Sequence, residues 1–196
     1  MLPLAFKFDD MPVLVVGAGA IGVRKAIQLL EAGARVTILA EEITVPLPEG
    51  VLHVLQRRYR RGDLRGYWLV VSATGRPEVN DAIVDEAHEE AIWLNVVDDP
   101  GRSSFYFMAL HRQGEVTVAV TTEGAAPALA QEIRALVAAG LPRNLGDVAA
   151  TLRSERRAVH EQGVSTENLD WRPRIRELLE PGSTPLLVEV DDVGPP

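Results

Sequence analysis

Three groups of residues in this chain have types and spacings that could do chemistry. The first is Gly17, Gly19 and Gly22 in VLVVGAGAIG, a G-x-G-x-x-G pattern that leaves an apolar run and opens a helical one. In that setting Gly17 makes the tight turn, Gly19 lets backbone approach a pyrophosphate, and Gly22 allows close helix–strand packing. The start of the following helix adds a positive dipole end, which suits an anion. The second group is Glu41 and Glu42, just past the next apolar run. An acid there can hydrogen-bond a ribose 2′-hydroxyl and repel a 2′-phosphate, so the expected cofactor is NAD rather than NADP. The third group is Asp98 and Asp99 in LNVVDDPGRSSF. Asp-Pro-Gly is ordinary turn chemistry. The carboxyl end of a strand is also where an open α/β sheet places its working groups. These residues alone leave both readings open.

The elements that must position these groups alternate in type. Val13 to Gly22 begins as an apolar strand, and the segment after it places Val23, Ala26, Ile27 and Leu30 at helical spacing, stopping near Gly33. Further strands are expected at Arg35–Ala40, in VLHVLQRRY, at Tyr67–Thr74 and at Ala91–Val97, with a helix over Pro77–Glu90. Strands that read as continuous apolar runs between helices predict a parallel sheet covered on both faces. After Phe105 the pattern changes. Gly114–Thr122 alternates as a half-buried strand, and Pro127 then opens a helix that ends at Gly140 and Pro142. Helices are also expected through LGDVAATLRSERRAVH and WRPRIRELLE. One strand and several helices cannot close a core alone, so a homodimer is expected.

Composition removes several classes. A net charge of -8 argues against nucleic-acid binding, which needs phosphate neutralisation. No apolar run is long enough for a membrane span, and the N-terminus lacks a signal-peptide layout. With no cysteine, disulfides, thiolate metal sites and thiol nucleophiles are excluded, and a cytoplasmic location is expected. His53, His88, His111 and His160 have no metal-ligand spacing, so no tightly held structural metal is expected. The arginine cluster QRRYRRGDLR reads as a solvated face.

Taken together, VLVVGAGAIGVRKAIQLLEAGARVTILA, LNVVDDP, SFYF and VTVAVTTEGAAPALAQEIR resemble the precorrin-2 dehydrogenase family, also found as the N-terminal module of siroheme synthases. The resemblance runs from residue 1 to about residue 160. It implies an α/β chain: an NAD-binding Rossmann domain with a parallel sheet, a strand–helix dimerisation region and a small helical C-terminal domain. In this numbering those fall at 1–113, 114–142 and 143–182, followed by a tail, 183–196, expected to be poorly ordered. The implied reaction oxidises precorrin-2 to sirohydrochlorin, with NAD taking a hydride. Some family members also insert Fe²⁺, a transient substrate, to make siroheme.

The resemblance places the family's key carboxylate, a general base, on Asp98. It places pyrophosphate contacts around Ala20 and Ile21, and a hydroxyl of the tetrapyrrole pocket on Thr122, with Gly124 beside it. Precorrin-2 carries eight carboxylates, for which Arg24 and Lys25 are candidate partners, as are Arg102, His111 and Arg112. Phe105 is a candidate pocket wall, although in a strand only alternate members of Phe105, Tyr106 and Phe107 could face it. The chain departs from the family pattern at Glu123, where the first of a glycine pair is usual, at Gly75, where an acid is common, and at Met108, where a proline is usual. Besides the dehydrogenase, two readings stay open: a bifunctional dehydrogenase and ferrochelatase, and a non-catalytic NAD-sensing dimeric domain. The sensor reading leaves the acid after the fifth strand and the TTEGAAP element unexplained.

Overall fold

The computed structural model of the chain describes residues 1–167 and 169–179, so the tail at 183–196 lies outside the described residues. It divides into two compact units, the first ending at Tyr106 and the second starting at Phe107.

The first unit is a five-stranded parallel sheet in the order β3-β2-β1-β4-β5. Its strands are β1 (Pro12–Ala18), β2 (Arg35–Ile43), β3 (His53–Gln56), β4 (Leu69–Ser72) and β5 (Trp93–Val96). Helices α1 (Ala20–Glu31) and α2 (Pro77–Glu89) make the crossovers. The chain moves outward from β1 in one direction through β2 and β3, and in the other through β4 and β5. Right-handed crossovers in opposite directions put α1 and α2 on opposite faces, which is why the central strands are buried on both. Val13 to Val16 are each at most 2% exposed. On one face Leu14, Val16, Leu39, Val70, Leu94 and Val96 pack with Ile83 and Ala87 of α2 and with Leu64.

The third strand is shorter than expected. It stops at Gln56, and the arginine-rich segment after it is a loop. That loop is built on the Glu86 side chain, 2% exposed, which accepts hydrogen bonds from Gly62 N (2.9 Å), Leu64 N (3.0 Å) and the Tyr59 hydroxyl. Arg57 pairs with Asp63, with Nη1 to Oδ2 at 2.6 Å. The cluster is therefore only partly a solvated face. It tethers Leu64 into the core, where burial and the neighbouring carboxylate push the Tyr59 phenol well above its usual range.

At the outer edge, β5 meets side chains instead of a sixth strand. Leu94 N donates to Ser104 Oγ (2.7 Å) and Val96 N to Ser103 Oγ (2.9 Å). Ser104 N donates back to Leu94 O (2.7 Å) and Asn95 Nδ2 to Phe105 O (3.0 Å). Phe105, Tyr106 and Phe107 are not in a strand, and all three are half-buried.

In the second unit β6 (Ala109–Gln113) and β7 (Val116–Val120) form an antiparallel hairpin. Residues 107–113, which the sequence reading assigned to the Rossmann domain, thus belong to the second unit because β6 hydrogen-bonds β7 over its whole length. Its helices are α3 (Pro127–Gly140), α4 (Leu145–Glu161) and α5 (Arg172–Leu178). Only Ala130 of α3 is fully buried, whereas Leu129 is 53% and Leu136 65% exposed. Among the described residues no helix is long and apolar enough to cross a membrane.

Candidate functional site

In the glycine turn each glycine has its own steric setting. Gly17 has φ +109, and a Cβ there would lie 2.3 Å from Ala73 O. A Cβ on Gly22 would lie 2.1 Å from Gly17 O. Both positions are closed by backbone. At Gly19 the nearest atom to an added Cβ is Thr44 Oγ1 at 3.9 Å, so the space in front of the turn is open. Gly19 is also the N-cap of α1. It offers no side-chain cap, and the first turn carries no acid. The amides of Ala20, Ile21 and Gly22 thus open a helix whose positive end faces no competing carboxylate from its own first turn. Open space beside a bare helix start fits a pyrophosphate, and these residues are suited to a dinucleotide.

Glu41 lies near the end of β2, the neighbour of β1, where a ribose acid belongs. The strand bulges there: Val16 pairs with Leu39 but Ala18 with Ile43, so the extra β2 residues bow outward. The Glu41 carboxylate is already engaged. Oε1 accepts from Arg58 Nε at 2.9 Å and Oε2 from Arg76 Nη1 at 2.7 Å. The hydrogen bond from Arg58, with the charges of both guanidiniums, holds its carboxyl below the usual range. Arg58 and Arg76 were not among the candidates from sequence. They stand 17 and 35 residues from Glu41, and no local spacing links them. Glu42 is exposed.

Asp98 lies just past the carboxyl end of β5, exposed, with its backbone in the left-handed region at φ +61. Val97 N donates to Ser72 O (2.9 Å) and Asp99 N to Val96 O (3.1 Å), which fixes the turn. Left-handed backbone is rare for a side-chain-bearing residue, although Asp and Asn tolerate it best. Such outliers cluster where the protein needs a side chain aimed a particular way. The turn reading holds for Asp99. Asp99 caps a short 3₁₀ turn at Pro100–Arg102, accepting from Arg102 N at 3.2 Å, with Arg102 Nε at 2.5 Å from its other oxygen. Asp98 takes no part in that cap.

On α1, Arg24 is exposed and Lys25 half-buried. Burial first, and then the adjacent Arg24 charge, lower the Lys25 pKa to about 8, with Asp98 working in the opposite direction. The lysine and the acid after β5 are thus within electrostatic reach of each other. Arg102, paired with Asp99 and Asp81, is committed to the turn.

In the second unit Thr122 Oγ1 accepts from Ala126 N at 3.1 Å and Thr121 Oγ1 from Glu123 N at 3.1 Å, ordering the lead into α3. Glu123 and Gly124 have φ +55 and +81. Two successive left-handed residues explain why glycine suits both positions, and Glu123 occupies the first at a steric cost. Among the described residues no group of three or more His, Asp or Glu could hold a metal ion.

A family model described as "Putative NAD(P)-binding" matches residues 4–109. "Siroheme synthase 3" of Aeromonas hydrophila subsp. hydrophila is 41% identical over 168 residues, which are 84% of this chain and 36% of that protein. "Siroheme synthase" of Tolumonas auensis is 35% identical over 188 residues, 91% of this chain and 40% of that protein. The chain therefore spans well under half the length of these relatives. A solved structure, "SirC, precorrin-2 dehydrogenase", superposes with a TM-score of 0.75 over 92% of this chain and 90% of that one, at 22% identity. That is a likeness of fold.

Proposed function

We propose that this chain, which belongs to the NAD(P)-binding family, oxidises precorrin-2 to sirohydrochlorin with NAD accepting a hydride. The observation that carries the reading is the placement of Asp98. Glu41 lies near the end of β2 on one flank of β1, and Asp98 follows β5 on the other. A nucleotide bound where the strand order reverses spans that divide. The likeness to siroheme synthases, at 35–41% identity, supports a tetrapyrrole as the substrate.

In this reading Gly17, Gly19 and the amides of Ala20, Ile21 and Gly22 cradle the pyrophosphate, and Glu41 receives the ribose. Asp98 takes the proton that leaves the macrocycle as its hydride departs. Its turn holds the carboxylate outward, and water beside this exposed group carries the proton away. Lys25 and Arg24 meet substrate carboxylates next to Asp98, and Phe105 is a further substrate contact. General-base help of this kind is worth about 10² to 10⁴ in rate, or roughly 3–5 kcal/mol. Two such chains associate through the exposed Leu129–Leu136 stripe of α3, two leucines seven residues apart on one helix face.

The test is Asp98→Asn, chosen because Asn also tolerates left-handed backbone. Supplied with precorrin-2 made in situ, the variant is expected to bind NAD as before and to form NADH about 10² to 10⁴ times more slowly. Wild-type turnover by that variant would remove the base assignment. A second reading, favoured by the name of the relatives, has the same carboxylate take pyrrole protons as Fe²⁺ enters sirohydrochlorin. A siroheme spectrum that requires both this protein and added Fe²⁺ supports it.

A further inference from the structure

We infer that Arg58 and Arg76 form a latent fork for a 2′-phosphate, and that Glu41 fixes the choice of NAD by occupying it. This rests on the nucleotide-binding reading above. The two arginines come from different elements. Arg58 is in the loop after β3, on the outer side of β2, and Arg76 is the residue before α2, after β4. Their guanidiniums close on the two oxygens of one carboxylate, at 2.9 and 2.7 Å. Two guanidiniums that hold the two oxygens of a planar carboxylate can also hold two of the three terminal oxygens of a tetrahedral phosphate monoester.

The charges decide what each state prefers. With Glu41 in place the three groups sum to +1, and each guanidinium donates to one carboxylate oxygen. The other lone pairs of that carboxylate can accept ribose hydroxyls. A 2′-phosphate, carrying a charge of about -1.5 to -2, would have to expel the carboxylate first. Without Glu41 the same place carries +2 in a geometry already set for an oxyanion. Both arginines bond Glu41 rather than Glu42.

Two roles for Glu41 therefore predict different outcomes. If it acts by repulsion alone, removing it brings NADP up to the level of NAD and no further. If it also masks the fork, removing it inverts the preference, because NAD loses its ribose acceptor while NADP gains two charge-assisted contacts. Such contacts are each worth about tenfold or more in affinity.

The experiment is calorimetric titration of the full chain with NAD and with NADP, without tetrapyrrole. Wild type is expected to favour NAD. Glu41→Ala is expected to bind NADP at least tenfold tighter than NAD, with a steeper loss of NADP affinity in added salt. Glu41→Gln, which keeps the shape without the charge, should move the same way by less. Adding Arg58→Ala and Arg76→Ala to Glu41→Ala should abolish the gain. Equal affinities for the two nucleotides in Glu41→Ala would overturn the fork while leaving the nucleotide site standing. Failure of wild type to bind either nucleotide would overturn both.

Discussion

The glycine turn allows two substitutions of the same size to be predicted in opposite terms. Gly22→Ala adds one methyl 2.1 Å from Gly17 O, and that acceptor is main chain. Ordinary contact with such an atom needs more than an ångström of extra space, so α1 must move away from β1. Overpacking of this sort costs about 1–3 kcal/mol. For a unit ending at Tyr106, about 1 kcal/mol corresponds to roughly 4 °C in melting temperature, so a fall of about 4–12 °C is expected. Gly19→Ala adds the same methyl where only Thr44 Oγ1 stands, at 3.9 Å, and its φ of -82 suits alanine. Its melting temperature is expected to fall less, by about 2–4 °C, because Ala is a poorer N-cap than Gly by roughly 0.5–1 kcal/mol. Its methyl fills the space offered to the pyrophosphate, so NAD affinity should fall by about tenfold or more. Thermal denaturation followed by circular dichroism and titration with NAD read the two effects separately. Unchanged NAD binding by Gly19→Ala, or an unchanged melting temperature for Gly22→Ala, would refute the assignment of roles within the turn.

Lys25 predicts a pH dependence. Its ammonium persists below about pH 8 and is lost above it, so KM for the tetrapyrrole should rise as pH passes 8 while kcat changes less. Lys25→Arg should move that rise to higher pH, and a KM flat from pH 7 to 9 would exclude the contact. The linked effect on stability has a definite sign. The folded-state pKa, about 8, lies below the unfolded value of 10.5, so this group destabilises the fold below pH 8 and ceases to do so as pH rises through that window. Glu86→Ala should lower stability by about 2–4 kcal/mol in chemical denaturation, since it strands the buried amide of Leu64 and the amide of Gly62. Leu136→Asp should convert a dimer to monomers in sedimentation equilibrium with little change in helicity, and a monomeric wild type would remove the α3 interface.

Much of the first unit was legible because its signals are local. An apolar run entering G-x-G-x-x-G fixes a strand, a turn and a helix start within a dozen residues, and the helix starting at Pro77 was legible in the same way. What escaped depends on contacts made far along the chain. The expected third strand runs on through Arg57 and Arg58 to Tyr59, but Glu86, more than 20 residues on, holds Tyr59, Gly62 and Leu64 in a loop. Strand β6 mixes Leu110, His111, Arg112 and Gln113 without a clean alternation, and two of its five residues are exposed. A signal was present nonetheless: Gly114-Glu115, with Gly114 at φ +55, is a two-residue hairpin loop with glycine first. At the site, the acids after β2 and β5 could be named from their position relative to strands. The clasp on Glu41 could not, since its arginines arrive from two other loops. The left-handed backbone at Asp98 was likewise hidden, because Asp-Asp-Pro allows several turn geometries.

The serine hydroxyls along β5 have a consequence for how this protein can grow or associate. The outermost strand of an open sheet normally offers its amides and carbonyls as a template for any extended chain that drifts past. Here Ser103 and Ser104 satisfy the amides of Val96 and Leu94, so that margin is closed without a further strand being spent on it. A guest peptide seeking to zip onto it would first have to evict hydroxyls belonging to the same chain.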